Sequence, residues 1–98
     1  MMTKVVRYVT RPQAADENAR LVAAVFAELA ESRPDGLRYA SFRLEDGVTF
    51  VHVADVDGDV NPLNSSPAFA AFQAGLPGRV VDGPLAADAT LVGSYQLL

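Results

Sequence analysis

His52 is the only histidine in the chain, and near neutral pH an imidazole can take or give a proton. Arg43 adds a planar fork of donors suited to an anionic or enolic oxygen. A turn brings the two together. Asp46-Gly47 lies between the runs 37–45 and 48–55, and such a dipeptide predicts a tight two-residue hairpin. Its register sets Glu45 opposite Val48, Arg43 opposite Phe50, Ser41 opposite His52 and Tyr39 opposite Ala54. Side chains alternate faces along a strand, so Tyr39, Ser41, Arg43, Phe50 and His52 share one mixed, aromatic and polar face. Ala40, Phe42, Leu44, Val51 and Val53 share the other, which is apolar and is expected to pack under helices. A histidine opposite a serine and close to an arginine can hold a carbonyl or a phenolate. His52 and Arg43 are therefore the candidate catalytic residues, with Tyr39, Ser41, Phe50 and Tyr8 as candidate substrate-binding residues. The residues alone leave a plainer alternative for each. His52 can be a hydrogen-bonded group at a subunit interface, Arg43 can pair with Glu45 or another acid, and Tyr8, Tyr39 and Tyr95 can line such an interface instead of a pocket.

Several chemistries are excluded. A single histidine cannot build a multi-histidine metal site, and with no cysteine there are no disulfides, thiolate ligands or cysteine nucleophiles. The acidic run Asp55-Val56-Asp57-Gly58-Asp59 fails the register of an EF-hand loop, which needs glycine at its sixth position and glutamate at its twelfth. Counted from Asp55 the twelfth residue is Ser66, and counted from Asp57 the sixth is Pro62, so a solvated acidic loop is expected. No G-x-G-x-x-G, Walker A or G-x-S-x-G segment occurs, which removes the common nucleotide cradles and the nucleophile elbow. No metal and no cofactor is expected. A net charge of −4, with seven Arg and one Lys scattered singly, lacks the basic stripe of a nucleic-acid binder. No apolar run is long enough for a signal peptide or a membrane span. A cytoplasmic protein with no nucleic-acid or membrane partner is expected.

The elements that must position these residues follow from periodicity and punctuation. Residues 4–10 are rich in Val and read as a first strand that stops at Arg11-Pro12. Leu21, Val22, Val25, Phe26 and Leu29 fall at helical spacing, which predicts an amphipathic helix of about 18 residues. Asp16 and Glu17 suit its first turn, and Pro34 predicts its end at Ser32-Arg33. After the hairpin and a polar, turn-rich stretch over 55–64, Ser66-Pro67 reads as an N-cap followed by proline at the first helical position. Phe69, Phe72 and Leu76 mark one face of a short second helix, expected to end at Gly75 and Pro77. A loop holding Gly78, Gly83 and Pro84 and a final strand over 89–97 complete the expectation. One domain spanning residues 1–98 is expected. Strand, helix, hairpin, helix, strand is the ferredoxin-like β-α-β-β-α-β order, an α+β fold. Right-handed crossovers place both helices on one face of a four-stranded antiparallel sheet and leave the other face bare, expected to be the mixed one. The apolar material is light, with sixteen Ala and thirteen Val but no Ile or Trp, and a core so built gains from self-association.

The stretches ADENARLVAAVFAELA, YASFRLEDGVTFVHVADV and SSPAFAAFQAGL, which cover the first helix, the hairpin and the entry to the second helix, resemble the dimeric α/β-barrel superfamily. Within it they resemble the antibiotic biosynthesis monooxygenase domain family, over nearly the whole chain. The resemblance implies two sheets packed face to face as a homodimeric barrel, with a pocket in each protomer between the sheet and its helices or loops. It also implies an enzyme similar to cofactor-independent monooxygenases, acting on aromatic or enolisable substrates of quinol or polyketide type. Haem-degrading relatives depend on an Asn/Trp/His arrangement, and this chain has no Trp. The alternative from another class is a non-catalytic dimeric module that binds a metabolite or supports another protein.

Overall fold

The computed structural model describes residues 2–97. Strand β1 (Met2–Thr10) carries Val5, Val6 and Val9, β-branched residues that fit a pleated surface. A 3-10 turn over Pro12–Ala14 leads into helix α1 (Ala15–Ser32), which has Asp16 and Glu17 in its first turn. Arg33 closes the helix at φ 45°, its N–H bonded to the Leu29 carbonyl, since the following Pro34 disfavours a right-handed helical conformation there. Length and end agree with the periodicity.

Strands β2 (Leu37–Arg43) and β3 (Thr49–Val56) pair in the expected register, with Tyr39 opposite Ala54, Ser41 opposite His52 and Arg43 opposite Phe50. The turn is wider than the two residues expected. Leu44 N–H donates to the Thr49 carbonyl and Gly47 N–H to the Leu44 carbonyl, so residues 45–48 form the loop and Glu45 does not pair with Val48. The Asp46 carboxylate accepts from the backbone N–H groups of Val48 and Thr49 and from the Thr49 hydroxyl, which ties the turn to the start of β3. A second 3-10 turn, Pro62–Ser65, precedes helix α2 (Pro67–Arg79). Ser66 caps α2 as expected, its hydroxyl oxygen accepting from the Phe69 N–H at 3.0 Å.

The end of α2 and the last strand differ from expectation. Helix α2 continues through Gly75 and Pro77 to Arg79. Its final turn is held by the Arg79 side chain, which folds back to donate from Nη2 to the Phe72 carbonyl at 2.8 Å. Strand β4 then starts at once and spans Val80–Ala89, whereas residues 90–97 form neither strand nor helix. Gly83 and Pro84, expected in a loop, lie within β4 where its register against β1 shifts. A sheet edge tolerates a residue with no N–H. Gly83 has φ +89°, and a Cβ there would stand 2.9 Å from the Arg7 carbonyl oxygen, so both conformation and space demand glycine.

The sheet order is β2-β3-β1-β4, antiparallel throughout, giving the ferredoxin-like topology. The choice of face is reversed. Tyr8, Phe50 and His52 lie beneath the helices, with Val22, Val25, Leu63 and Phe72 packed against Tyr8 and Phe50. The apolar hairpin face is the bare one: Phe42 is 43% and Leu44 42% exposed, and Leu85 on β4 is 64% exposed. Register sets which side chains travel together, and it carries no information about which face the helices cover. The mixed face can be covered because its buried groups are paired, His52 with Tyr8 and Tyr39 within the sheet and Tyr8 also with Asn18 of α1. Among the described residues, no buried side-chain nitrogen or oxygen lacks a hydrogen-bond partner.

Candidate functional site

Tyr8 on β1 and His52 on β3 lie under the helices at 1% and 5% exposure, and Tyr39 on β2 is half-buried beside them. The His52 ring is held on both sides. Its Nε2 is 2.8 Å from the Tyr8 hydroxyl and its Nδ1 is 2.7 Å from the Tyr39 hydroxyl. Stacking fixes the ring planes: Tyr8 lies 5.3 Å and Tyr39 5.9 Å from the imidazole, centroid to centroid. Phe26 of α1 stacks on the far side of Tyr39 at 4.8 Å.

Two residues outside the expected set extend this cluster. Asn18 on α1 is fully buried and donates from Nδ2 to the Tyr8 hydroxyl at 2.8 Å. Arg79, at the end of α2 and 5% exposed, donates from Nε to Asn18 Oδ1 at 2.9 Å. The guanidinium also lies over the Phe72 ring, 5.4 Å from its centroid. Gly75 makes room for it, since a Cβ at that position would come within 2.6 Å of Arg79 Nη1. A trace of Asn18 existed in the sequence. It stands on the apolar stripe with Val22, Val25 and Leu29, where a poor helix former needs a reason. Arg79 left no trace, because its role depends on how α2 closes against α1.

Burial sets the protonation states. Loss of water pushes His52 down to about 4, so the imidazole is neutral at pH 7. The same loss pushes Tyr8 up to about 12, against the opposing pull of the Asn18 hydrogen bond and the Arg79 charge. It raises Tyr39 as well, with the nearby Tyr8 adding to the effect. All three groups are uncharged, and the cluster's one formal charge is the guanidinium at its far end.

Tyr8, Tyr39 and His52 line a cavity of about 430 Å³ between the sheet, α2 and the segment before it. Phe69, Phe72 and Leu76 give it apolar walls, while Asn61, Asn64 and Gln73 bring amides and Lys4 an ammonium to its lining. An apolar slot with a few convergent polar groups is the usual form of a small-molecule site.

The other expected residues stand elsewhere. Phe50 is buried in the core against Tyr8, 5.6 Å between centroids. Ser41 lies across from His52 in the strand pairing but does not border the cavity. Arg43 turns away from it: Nε donates to the Gly47 carbonyl at 2.8 Å and Nη2 pairs with Asp16 at 3.0 Å. The expected catalytic pair is thus not assembled within one chain, and the acid that holds Arg43 is Asp16 rather than Glu45. The acidic segment is an exposed loop over residues 57–60, as expected, and departs from that only at Asp55. Asp55 is buried in β3 and accepts from the Thr3 hydroxyl and from Arg38, which also reaches Asp57. These contacts, with the Thr3 hydrogen bond foremost, hold the Asp55 carboxyl below its ordinary range. Among the described residues, no three His, Cys, Asp or Glu side chains gather where they could hold a metal ion. No helix there is long and apolar enough to cross a membrane.

No family model and no curated protein matches the sequence. Solved structures do match its fold. Rv0793 from Mycobacterium tuberculosis superposes with a TM-score of 0.77 at 16% identity, over 97% of this chain and 98% of the other. A protein named antibiotic biosynthesis monooxygenase gives 0.75 at 15% identity, over 95% and 100%. PA3566 from Pseudomonas aeruginosa gives 0.73 at 16%, over 94% of each chain. The chain has the fold of the antibiotic biosynthesis monooxygenases, and a fold by itself does not carry an activity.

Proposed function

We propose that the chain is a small-molecule enzyme that oxygenates aromatic or enolisable substrates of quinol or anthrone type without metal or flavin. The observation that carries this reading is the neutral His52 clamped between two phenol hydroxyls on the wall of an aromatic cavity. On this reading a flat hydroxyaromatic substrate occupies the cavity that Phe69, Phe72 and Leu76 wall, with its oxygen toward the polar cluster. The role of that cluster is to stabilise the substrate's anion once the proton has left to solvent. The electron-rich carbon then bonds to dioxygen. When that carbon is a methylene, one oxygen atom becomes its carbonyl and the other leaves as water with the two hydrogens. The structural neighbour named as a monooxygenase supports the reaction class.

The test is oxygen uptake across a panel of quinols, anthrones and related phenols. His52→Ala is expected to lose most of the uptake. Arg43→Ala, whose guanidinium is engaged outside the cavity, is expected to retain it. No uptake on any member of the panel, or uptake unchanged in His52→Ala, refutes the role given to this site.

A second reading, a non-catalytic metabolite-binding module, is favoured by one observation: both nitrogens of His52 are already engaged, so the ring is not a free base. Recovery of a bound compound unaltered in air would select it. Under either reading the chain acts as a homodimer, joined through the bare apolar face that holds Phe42, Leu44 and Leu85. Exposed apolar side chains gathered on one sheet face support an interface there. Light scattering after gel filtration should give a dimer that Phe42→Asp converts to monomer, and a clean monomer at micromolar concentration contradicts it.

A further inference from the structure

The hydrogen bonds from Arg79 to Tyr39 form a single line, and its direction can be worked out. Arginine has only donors, so the Asn18 oxygen must face Arg79 and the Asn18 amide must donate to the Tyr8 oxygen. The Tyr8 hydrogen then has two conceivable placements. If His52 carries its proton on Nε2, that proton also points at the Tyr8 oxygen. The Tyr8 hydrogen is then left with no acceptor in the protein, on a side chain that borders the cavity but is only 1% exposed, less open to a ligand or water than the half-buried Tyr39. If His52 carries its proton on Nδ1, Tyr8 donates to Nε2, Nδ1 donates to the Tyr39 oxygen, and the hydrogens of both Tyr8 and His52 are used. The one spare hydrogen then belongs to Tyr39, a half-buried residue that lines the cavity and that has no partner but His52 among the described residues. Leaving a buried donor unmade is the costlier choice, and the second arrangement puts the spare donor where a ligand or water can meet it.

We infer that Asn18 and Arg79 are positioning residues that set the direction of the Tyr8–His52–Tyr39 line, leaving the Tyr39 hydroxyl as a donor into the cavity that selects ligands presenting an acceptor oxygen, a ketone or a phenolate. Each dipole in the line points the same way, from a buried cation toward the cavity, and successive hydrogen bonds polarise one another. Tyr39 is therefore a stronger donor than an isolated phenol. It discriminates against ligands whose only polar group at that place is itself a donor or is missing. The inference rests on the cavity being the ligand site proposed above, and it does not need the ligand to be oxidised.

Long-range 1H–15N correlation spectra of 15N-labelled protein read the tautomer directly, because His52 is the only histidine. The expected result is a proton on Nδ1 in the wild type. In Asn18→Asp a carboxylate, kept ionised by Arg79, accepts from both Arg79 and Tyr8. The Tyr8 hydrogen turns round, and the His52 proton is expected on Nε2, with Tyr39 now donating inward. A role of Asn18 as mere packing would not move the tautomer. The ligand arm uses 4-nitrophenolate, whose visible absorbance reports binding, with 4-nitrotoluene as the probe of similar shape that lacks the anionic oxygen. Wild type is expected to bind 4-nitrophenolate about tenfold or more tightly than Tyr39→Phe does, a charge-assisted hydrogen bond having been lost, with 4-nitrotoluene affinity alike in both. Tyr39→Phe keeps this arm readable if Asn18→Asp does not fold. An Nε2 proton in the wild type, an unmoved tautomer in Asn18→Asp, or equal or undetectable 4-nitrophenolate binding in wild type and Tyr39→Phe overturns the inference. Neither readout involves oxygen, so the expected tautomer and binding with no uptake on any quinol would leave the donor in place and remove only the monooxygenase reading.

Discussion

Acidification gives a quantitative test of how His52 is buried. In the unfolded chain the imidazole titrates near its ordinary 6.5, while in the folded protein burial pushes it down to about 4. Between those values the unfolded chain binds more protons than the folded one, so stability falls as pH falls. The contribution is complete above the unfolded value and is lost progressively as pH drops toward the folded value. The whole shift corresponds to about 3 kcal/mol, at about 1.4 kcal/mol for each unit of pKa. About 2 kcal/mol of it is already gone at about pH 5. A small domain has about 5–15 kcal/mol in total, so the change should be plain in urea unfolding followed by far-ultraviolet circular dichroism at about pH 7.5, 6 and 5. One protein concentration must be kept throughout, because self-association would move the midpoint. The control is His52→Phe. It keeps an aromatic ring in the stack, strands the Tyr8 and Tyr39 hydroxyls, and so lowers stability at every pH, but it cannot titrate. Asp46 and Asp55, both held below the ordinary carboxylate range, contribute alike to both proteins. The wild type should lose about 2 kcal/mol more than His52→Phe between about pH 7.5 and 5. Parallel losses would mean that the imidazole is not buried as a neutral group, and the protonation argument for the site would fail with it.

Three local substitutions test the elements that hold the site. Ser66→Ala should cost about 1 kcal/mol in urea unfolding by removing the cap on the Phe69 N–H, and Ser66→Gly only a few tenths. Gly83→Ala should destabilise by about 1–2 kcal/mol, since its φ is +89° and its Cβ would meet the Arg7 carbonyl; an unchanged midpoint would contradict the backbone path of β4. Gly75→Ala normally gains about 1 kcal/mol inside a helix, but here the Cβ would stand 2.6 Å from Arg79 Nη1. The gain should be absent in the wild type and return in an Arg79→Met background, and a double-mutant cycle showing no coupling would refute the packing of Arg79 beneath Gly75.

Local chemistry wrote much of this fold into the chain. The Asp46-Gly47 turn set the hairpin register to the residue, the apolar spacing from Leu21 to Leu29 set α1, and Ser66-Pro67 set the start of α2, because each signal acts over a few neighbouring residues. The end of α2 and the path of β4 were not legible. Pro77 and Gly83 usually break elements, yet α2 runs on to Arg79, and β4 carries Gly83 at a sheet edge where its register shifts.

The candidate site divides along the same line. Period-two alternation placed Tyr39, Phe50 and His52 on one face, and that grouping follows from the sequence alone. Which face the helices cover, which of those residues meet a cavity, and what completes the polar line were decided only when α1 and α2 closed over the sheet. Asn18 and Arg79 lie 61 residues apart, and neither has meaning for His52 until that closure. Arg43 shares the histidine's face in the strand pairing, yet Asp16 on α1 holds it elsewhere. A repeat of two residues is a property of the backbone, whereas the choice between the two faces depends on burying every polar group with a partner, and those partners come from distant parts of the chain.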